Sequence, residues 1–144
     1  MSQTLGTMDR SEVSTIVAER LTGKAASKKE EGEFQEVKRL VAELSELDVE
    51  LRKEMQAVAQ CAYAAGKVVI NIETPAFIEA RDFLRRNRKD LAMVRVLGVV
   101  AHEMAHVSSR GNPVHDVGFY QEFETALDKL QRKVIVFLQQ KSRS

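Results

Sequence analysis

Residues 91–120 read LAMVRVLGVVAHEMAHVSSRGNPVHDVGFY. The opening part is apolar nearly all the way round, through Leu91, Met93, Val94, Val96, Leu97, Val99 and Val100 to Met104 and Val107. That density predicts an α-helix from Leu91 to about Ser108 lying inside the domain. Asp90 stands where a cap belongs, and Gly111 and Pro113 supply the stop. Gly98, Ala101 and Ala105 form a small-residue row that would let another element approach closely. Into this apolar helix are set His102, Glu103 and His106. The remaining histidine of the chain, His115, lies nine residues further on.

Side chains four apart leave one face of a helix a turn apart, so His102 and His106 can converge on one ion. Each polar group buried without a partner costs roughly 1–3 kcal/mol, and a shared metal would offset that for both imidazoles. In the H-E-x-x-H pattern the carboxylate, here Glu103, does not bind the metal. It takes a proton from the metal-bound water as that water attacks a peptide carbonyl, then passes a proton to the leaving amine. Zn2+ suits this donor set, and a catalytic zinc usually takes three protein ligands and keeps one position open.

For the third ligand there are two candidates. His115 follows a turn containing Ser108, Ser109, Gly111 and Pro113 that can fold the chain back over the metal. Glu124, in the run ETALD at 124–128, is the rival. On an ideal helix Glu124 sits roughly 100° from Phe123, near the centre of the apolar stripe, and so points to its edge or away. His115 is therefore preferred. Asp116 reads as the cap of the last helix, with a role orienting a histidine as the alternative. Tyr120 reads as a packing residue, with oxyanion stabilisation as the alternative.

With these residues in view, the chain resembles the SprT-like and WLM zinc metalloproteases. His102, Glu103 and His106 match their helix motif, PVHD at 113–116 resembles the WLM G-P-H-D turn, and Phe119 with Tyr120 matches the aromatic pair that follows. The likeness covers about residues 90–130. It implies that His102, His106 and His115 bind zinc, that Glu103 is catalytic, and that the substrate is a protein or peptide. The gap between the second and third histidines is longer than is usual for WLM sequences, the glycine and proline of the turn are displaced, and no methionine follows His115. The family's small sheet normally precedes the active helix. Here KVVINIE, Lys67 to Glu73, is the one candidate strand, expected to line the cleft and pair with a substrate backbone. Its own partner in the sheet is either a weakly patterned segment or another chain.

Many members of that group cut proteins crosslinked to DNA. The run RDFLRRNRKD at 81–90 has five basic residues and reads either as a phosphate-facing patch or as a solvated helix end. The solvated end is the preferred reading.

Upstream, Val13, Ile16, Val17 and Leu21 predict a short helix from Arg10 to Thr22 within a flexible N-terminal segment, 1–26. Ser27 with Glu30 forms a capping box that starts a long helix. Phe34, Val37, Val41, Leu44, Leu51, Met55, Val58 and Ala62 carry its apolar stripe as far as Gly66, interrupted at Asp48. Its charged faces read as solvent-exposed, with a dimerising coiled coil as the alternative. Thr74 and Pro75 open a helix to Arg88. A last helix follows Asp116, burying Phe119, Phe123, Ala126, Leu127, Leu130, Val134 and Phe137, before a polar tail at 140–144.

The expectation is thus a mainly α, α+β fold: one minimal zincin-like domain over 27–139, with long helices and a small or single-strand β element. The chain has 144 residues, 44% hydrophobic and 30% charged, with a net charge of +1. No strong field draws it to nucleic acid or an anionic membrane. Cys61 is the lone cysteine, so no intramolecular disulfide forms. No signal-peptide run opens the sequence and nothing approaches a membrane span, so the expected location is intracellular or within a packaged particle. A homo-oligomer is compatible with the charged helices. The competing function is a helical interaction or particle-associated protein in which the site survives as a structural or vestigial metal centre.

Overall fold

The computed structural model describes residues 21–111 and 114–142. The fold is α+β and mainly helical, with five helices and one four-stranded sheet among the described residues. In chain order the elements are β1 (Lys24–Ala25), α1 (Lys28–Glu33), α2 (Gln35–Ser45), β2 (Asp48–Lys53), β3 (Ala59–Ala62), β4 (Lys67–Asn71), α3 (Pro75–Arg85), α4 (Lys89–Ser108) and α5 (Val117–Ser142). The helix expected over Arg10 to Thr22 lies almost wholly outside the described residues.

The helix expected to run from Ser27 to Gly66 is corrected. It starts as predicted, with the Ser27 hydroxyl accepting from Glu30 N–H and the Glu30 carboxylate accepting from Ser27 N–H. It ends at Ser45, where Glu46 adopts a left-handed conformation (φ 60°) and donates its N–H to Ala42 O at 2.8 Å. Beyond that interruption no helix resumes; Asp48 begins β2. In β2 the buried residues are Val49 and Leu51, two apart, with Glu50 between them facing Arg52 and Lys67 on the sheet's other face. This is the alternation of a strand with one face in the core.

Strand order is β1-β2-β4-β3. β4 pairs in parallel with β2, Val49 opposite Val68 and Leu51 opposite Ile70, and antiparallel with β3, Cys61 opposite Val68. The chain leaves β2, passes the position β4 will occupy, and returns through the 3₁₀ turn Tyr63–Ala65, closed by Gly66 at φ 64°. The run KVVINIE therefore finds its partners within the chain. It is a central strand, buried at Val68, Val69 and Ile70 as such a strand requires. Gly23 marks the start of the sheet: a Cβ there would lie 2.4 Å from Lys53 O, a clash that only glycine avoids.

α2 lays Val37, Leu40, Val41 and Leu44 onto the core side of the sheet. Helix α3 begins at Pro75, with Thr74 capping through its backbone carbonyl rather than its hydroxyl, and ends at Arg85. α4 runs through the middle, touching α2, α3, α5 and β3. Its burial is one-sided: Ala92, Met93, Val96, Val100, Ala101 and Ala105 are enclosed, whereas Val94 is 60% exposed. Asp90 is inside its first turn, paired with Arg88, and is not its cap. Gly98 is exposed, with open space where a Cβ would be, so it does not serve close helix approach; Ala101 and Ala105 do. By length and composition alone α4 is long and apolar enough to cross a membrane, with a mean hydropathy of 1.2. It is packed here as a core helix.

α5 crosses α4 with Phe119, Ala126, Leu130 and Val134 buried, and continues through Ser142, so residues 140–142 of the expected polar tail belong to its last turn. Lys133 of α5 donates to Glu43 O and Leu44 O, satisfying carbonyls left open at the end of α2.

Candidate metal centre

Two consecutive turns of α4 present His102 and His106, whose Nε2 atoms lie 3.1 Å apart. The helix then ends in a Schellman turn. Arg110 (φ 58°) donates to Val107 O at 3.0 Å, and Gly111 (φ 76°) donates to His106 O at 2.7 Å. That turn reverses the chain on the backbone of the second histidine. Four residues later His115 Nε2 stands 3.2 Å from His106 Nε2. Asp116 then opens α5, its carboxylate accepting from Phe119 N–H at 2.9 Å. The capping role expected for Asp116 is the one observed.

The donor atoms of His102, His106 and His115 all lie within 4.8 Å of one another, close enough to bind a single metal ion. For a tetrahedral ion with nitrogens at ~2.0–2.1 Å, neighbouring donor atoms sit roughly 3.3–3.4 Å apart. The His102–His106 and His106–His115 separations fall just inside that spacing. Glu124 is exposed on α5 and is not part of the cluster. Tyr120 is 55% exposed, with its ring edge-on to Phe119.

Phe119 is the residue that the sequence reading undervalued. It is 1% exposed, stacks on His115 with centroids 4.4 Å apart, and contacts the rings of His106 and His102 at 4.8 and 5.1 Å. One buried ring thus supports all three imidazoles. The signal in the sequence was its spacing three residues after the cap Asp116, which fixes where the first turn of α5 points.

Glu103 is 5% exposed, and burial pushes its carboxyl up to about 7. Burial, reinforced by the neighbouring histidines, lowers the pKa of His102. The cavity beside the cluster, about 280 Å³, is lined by the three histidines, Glu103, Cys61 and Ala59 among others. Cys61 is a buried free thiol, pushed up to about 12 by burial and then by the nearby Glu103. It is an inert wall residue at neutral pH.

β3, not KVVINIE, is the strand that lines the cleft. It is the sheet's last strand, and its outer edge carries no further strand among the described residues. Asn71 N–H donates to Val58 O at 3.0 Å just before β3. Antiparallel pairs alternate, so Gln60 and Ala62 turn their backbone groups toward β4, while Ala59 and Cys61 turn theirs to the open edge.

The basic run at 81–90 is engaged within the chain. Arg81 and Arg85 face Asp82, Arg86 lies over Phe83, Arg88 pairs with Asp90, and Lys89 pairs with Glu43. No protein-family model, curated protein or solved structure matches the chain.

Proposed function

We propose that this protein is a zinc-dependent endopeptidase of the SprT/WLM kind. The observation that carries the reading is the convergence of His102, His106 and His115 in an open cleft next to a buried Glu103. The donor set is all imidazole, which suits Zn2+ better than the oxygen-seeking Mg2+ or Ca2+. Bound there, zinc would acidify a water and polarise the substrate carbonyl.

The chain's own residues account for the remaining steps. An extended substrate hydrogen-bonds to the outward backbone groups of Ala59 and Cys61 on β3, which lays a peptide bond across the cleft. Glu103 accepts a proton from the attacking water and delivers it to the amine nitrogen as the C–N bond breaks. Phe119 and the Schellman turn hold the imidazoles toward one another.

The decisive comparison is between the zinc-loaded wild type and Glu103→Gln on an unfolded protein substrate. We expect at least a hundredfold loss of cleavage with zinc content unchanged. Equal cleavage by the two proteins would overturn the role given to Glu103. Stoichiometric zinc without cleavage of any substrate would make the centre structural.

A further inference from the structure

The groove beside the centre is built around an absent side chain. Gly98 lies one helical turn before His102, on an exposed stretch of α4, and nothing stands within 4 Å of where its Cβ would be. The space so left is a cavity of about 370 Å³ between α4 and the strand edge. Its walls are Val58, Ala59, Gly98 and Val99, and it runs on to His102 and Glu103. Apart from Glu103, no charged side chain lines it. The other charged residues of α4 lie elsewhere: Arg95 is paired with Glu79 on α3, Lys89 with Glu43 and Asp90 with Arg88.

We infer that this groove is a substrate side-chain pocket which selects a large apolar residue next to the cleaved bond, and that Gly98 sets its depth. The inference rests on the endopeptidase reading for its location relative to the cleaved bond. A chain paired to the open edge of β3 projects every second side chain to the same face. With Ala59 holding the backbone, one of those side chains meets the groove between Val58 and Val99. An apolar group there leaves water without desolvating a charge of its own. An acidic one would be stripped of water among Val58, Ala59, Gly98 and Val99, none of which offers it a hydrogen-bonding or charged side chain in return. A side chain at position 98 would occupy the same volume, because it would point into the open space that the glycine leaves.

The test uses acetylated, amidated alanine hexapeptides whose third residue is Ala, Leu, Phe or Asp. Their binding to zinc-loaded Glu103→Gln is followed by amide chemical shifts, with and without Gly98→Leu and Gly98→Ala. In parallel, cleavage-site preferences are read from a denatured protein digest with the Glu103 enzyme. The Phe and Leu peptides should bind about tenfold more tightly than the Asp peptide, and should shift the amides of Ala59 and Val99. Gly98→Leu should erase the advantage of Phe over Ala, and Gly98→Ala should reduce it partly. In the digest, Gly98→Leu should replace large apolar residues by small ones at a single position beside the cut. Equal binding of Asp and Phe, or a Phe advantage untouched by Gly98→Leu, would overturn the pocket even if the enzyme cleaves. The expected binding pattern without any cleavage would leave the pocket standing and remove the endopeptidase reading.

Discussion

The two ends of α4 carry similar numbers of polar side chains and use them in opposite ways. At its N-terminal end Lys89 reaches Glu43, Arg88 and Lys141 reach Asp90, and Lys133 of α5 closes the end of α2 while pairing with Glu46. A depression of about 560 Å³ opens there, larger than the one at the histidines. Its polar groups are spent on each other and on helix carbonyls. At the C-terminal end the cavity is half that size, yet three ring nitrogens face one another and a carboxyl is buried beside them. The volume of a hollow is therefore a poor guide in this molecule. What distinguishes the histidine end is donor capacity aimed at a common point.

This contrast can be broken most directly at the histidines. His106→Ala should weaken zinc binding by more than a hundredfold, measured by competition with a chromophoric chelator, whereas Lys89→Ala should leave it unchanged. Equal loss in both variants would mean that the two ends are not independent. Next in size is the support beneath the imidazoles. Phe119→Ala should cost about 3–5 kcal/mol of stability in denaturant, as expected for a fully enclosed phenylalanine, and should also loosen zinc about 10- to 100-fold. A stability loss with zinc affinity untouched would reduce Phe119 to a packing residue.

At the other end, Lys133→Met keeps the aliphatic stem and removes the donor to Glu43 O and Leu44 O. It should cost about 1 kcal/mol, seen in the chemical denaturation midpoint, with no change in zinc affinity. The smallest effect lies on the exposed surface. The ammonium of Lys53 and then the cap at Ser27 hold the Glu30 carboxyl at about 2, below its ordinary 4.5. A depressed folded-state pKa contributes stability above the unfolded value that is lost as pH falls through the folded one. The wild type should therefore exceed Glu30→Gln in thermal midpoint at pH 7, with the gap closing between pH 4.5 and about 2. A gap that persists below pH 2 would exclude this linkage.

Much of this was legible because local chemistry and tertiary structure agree. Ser27 with Glu30, Pro75 and Asp116 each bound an element where their side chains dictate, and the spacing of His102, His106 and His115 was enough to name the cluster. Residues 46–62 were misread because two periods coexist there. Leu44, Leu51, Met55 and Val58 satisfy a helical stripe, while Val49 and Leu51 satisfy alternation, and the glutamates, Arg52 and Lys53 between them are good helix formers. Pairing with β4 decides in favour of strand, and that pairing is a property of residues about twenty positions away. β3, with the sequence AQCA, offers no β-branched residue at all. Its identity as the cleft edge comes solely from its place in the sheet. Gly98 was misjudged for the complementary reason: a small residue in an apolar helix signals closeness, but whether it faces a neighbour or a groove depends on the helix's rotation in the fold.

The Schellman turn has one more consequence. Gly111 is tied to the carbonyl of His106, and Asp116, next in the chain to His115, fastens the start of α5 before any ion arrives. Anchors of this kind lower the ordering cost of chelation. An ion gripping all three imidazoles would act as a clasp between α4 and α5. The thermal midpoint should then climb with the logarithm of free metal concentration once the ion exceeds its dissociation constant.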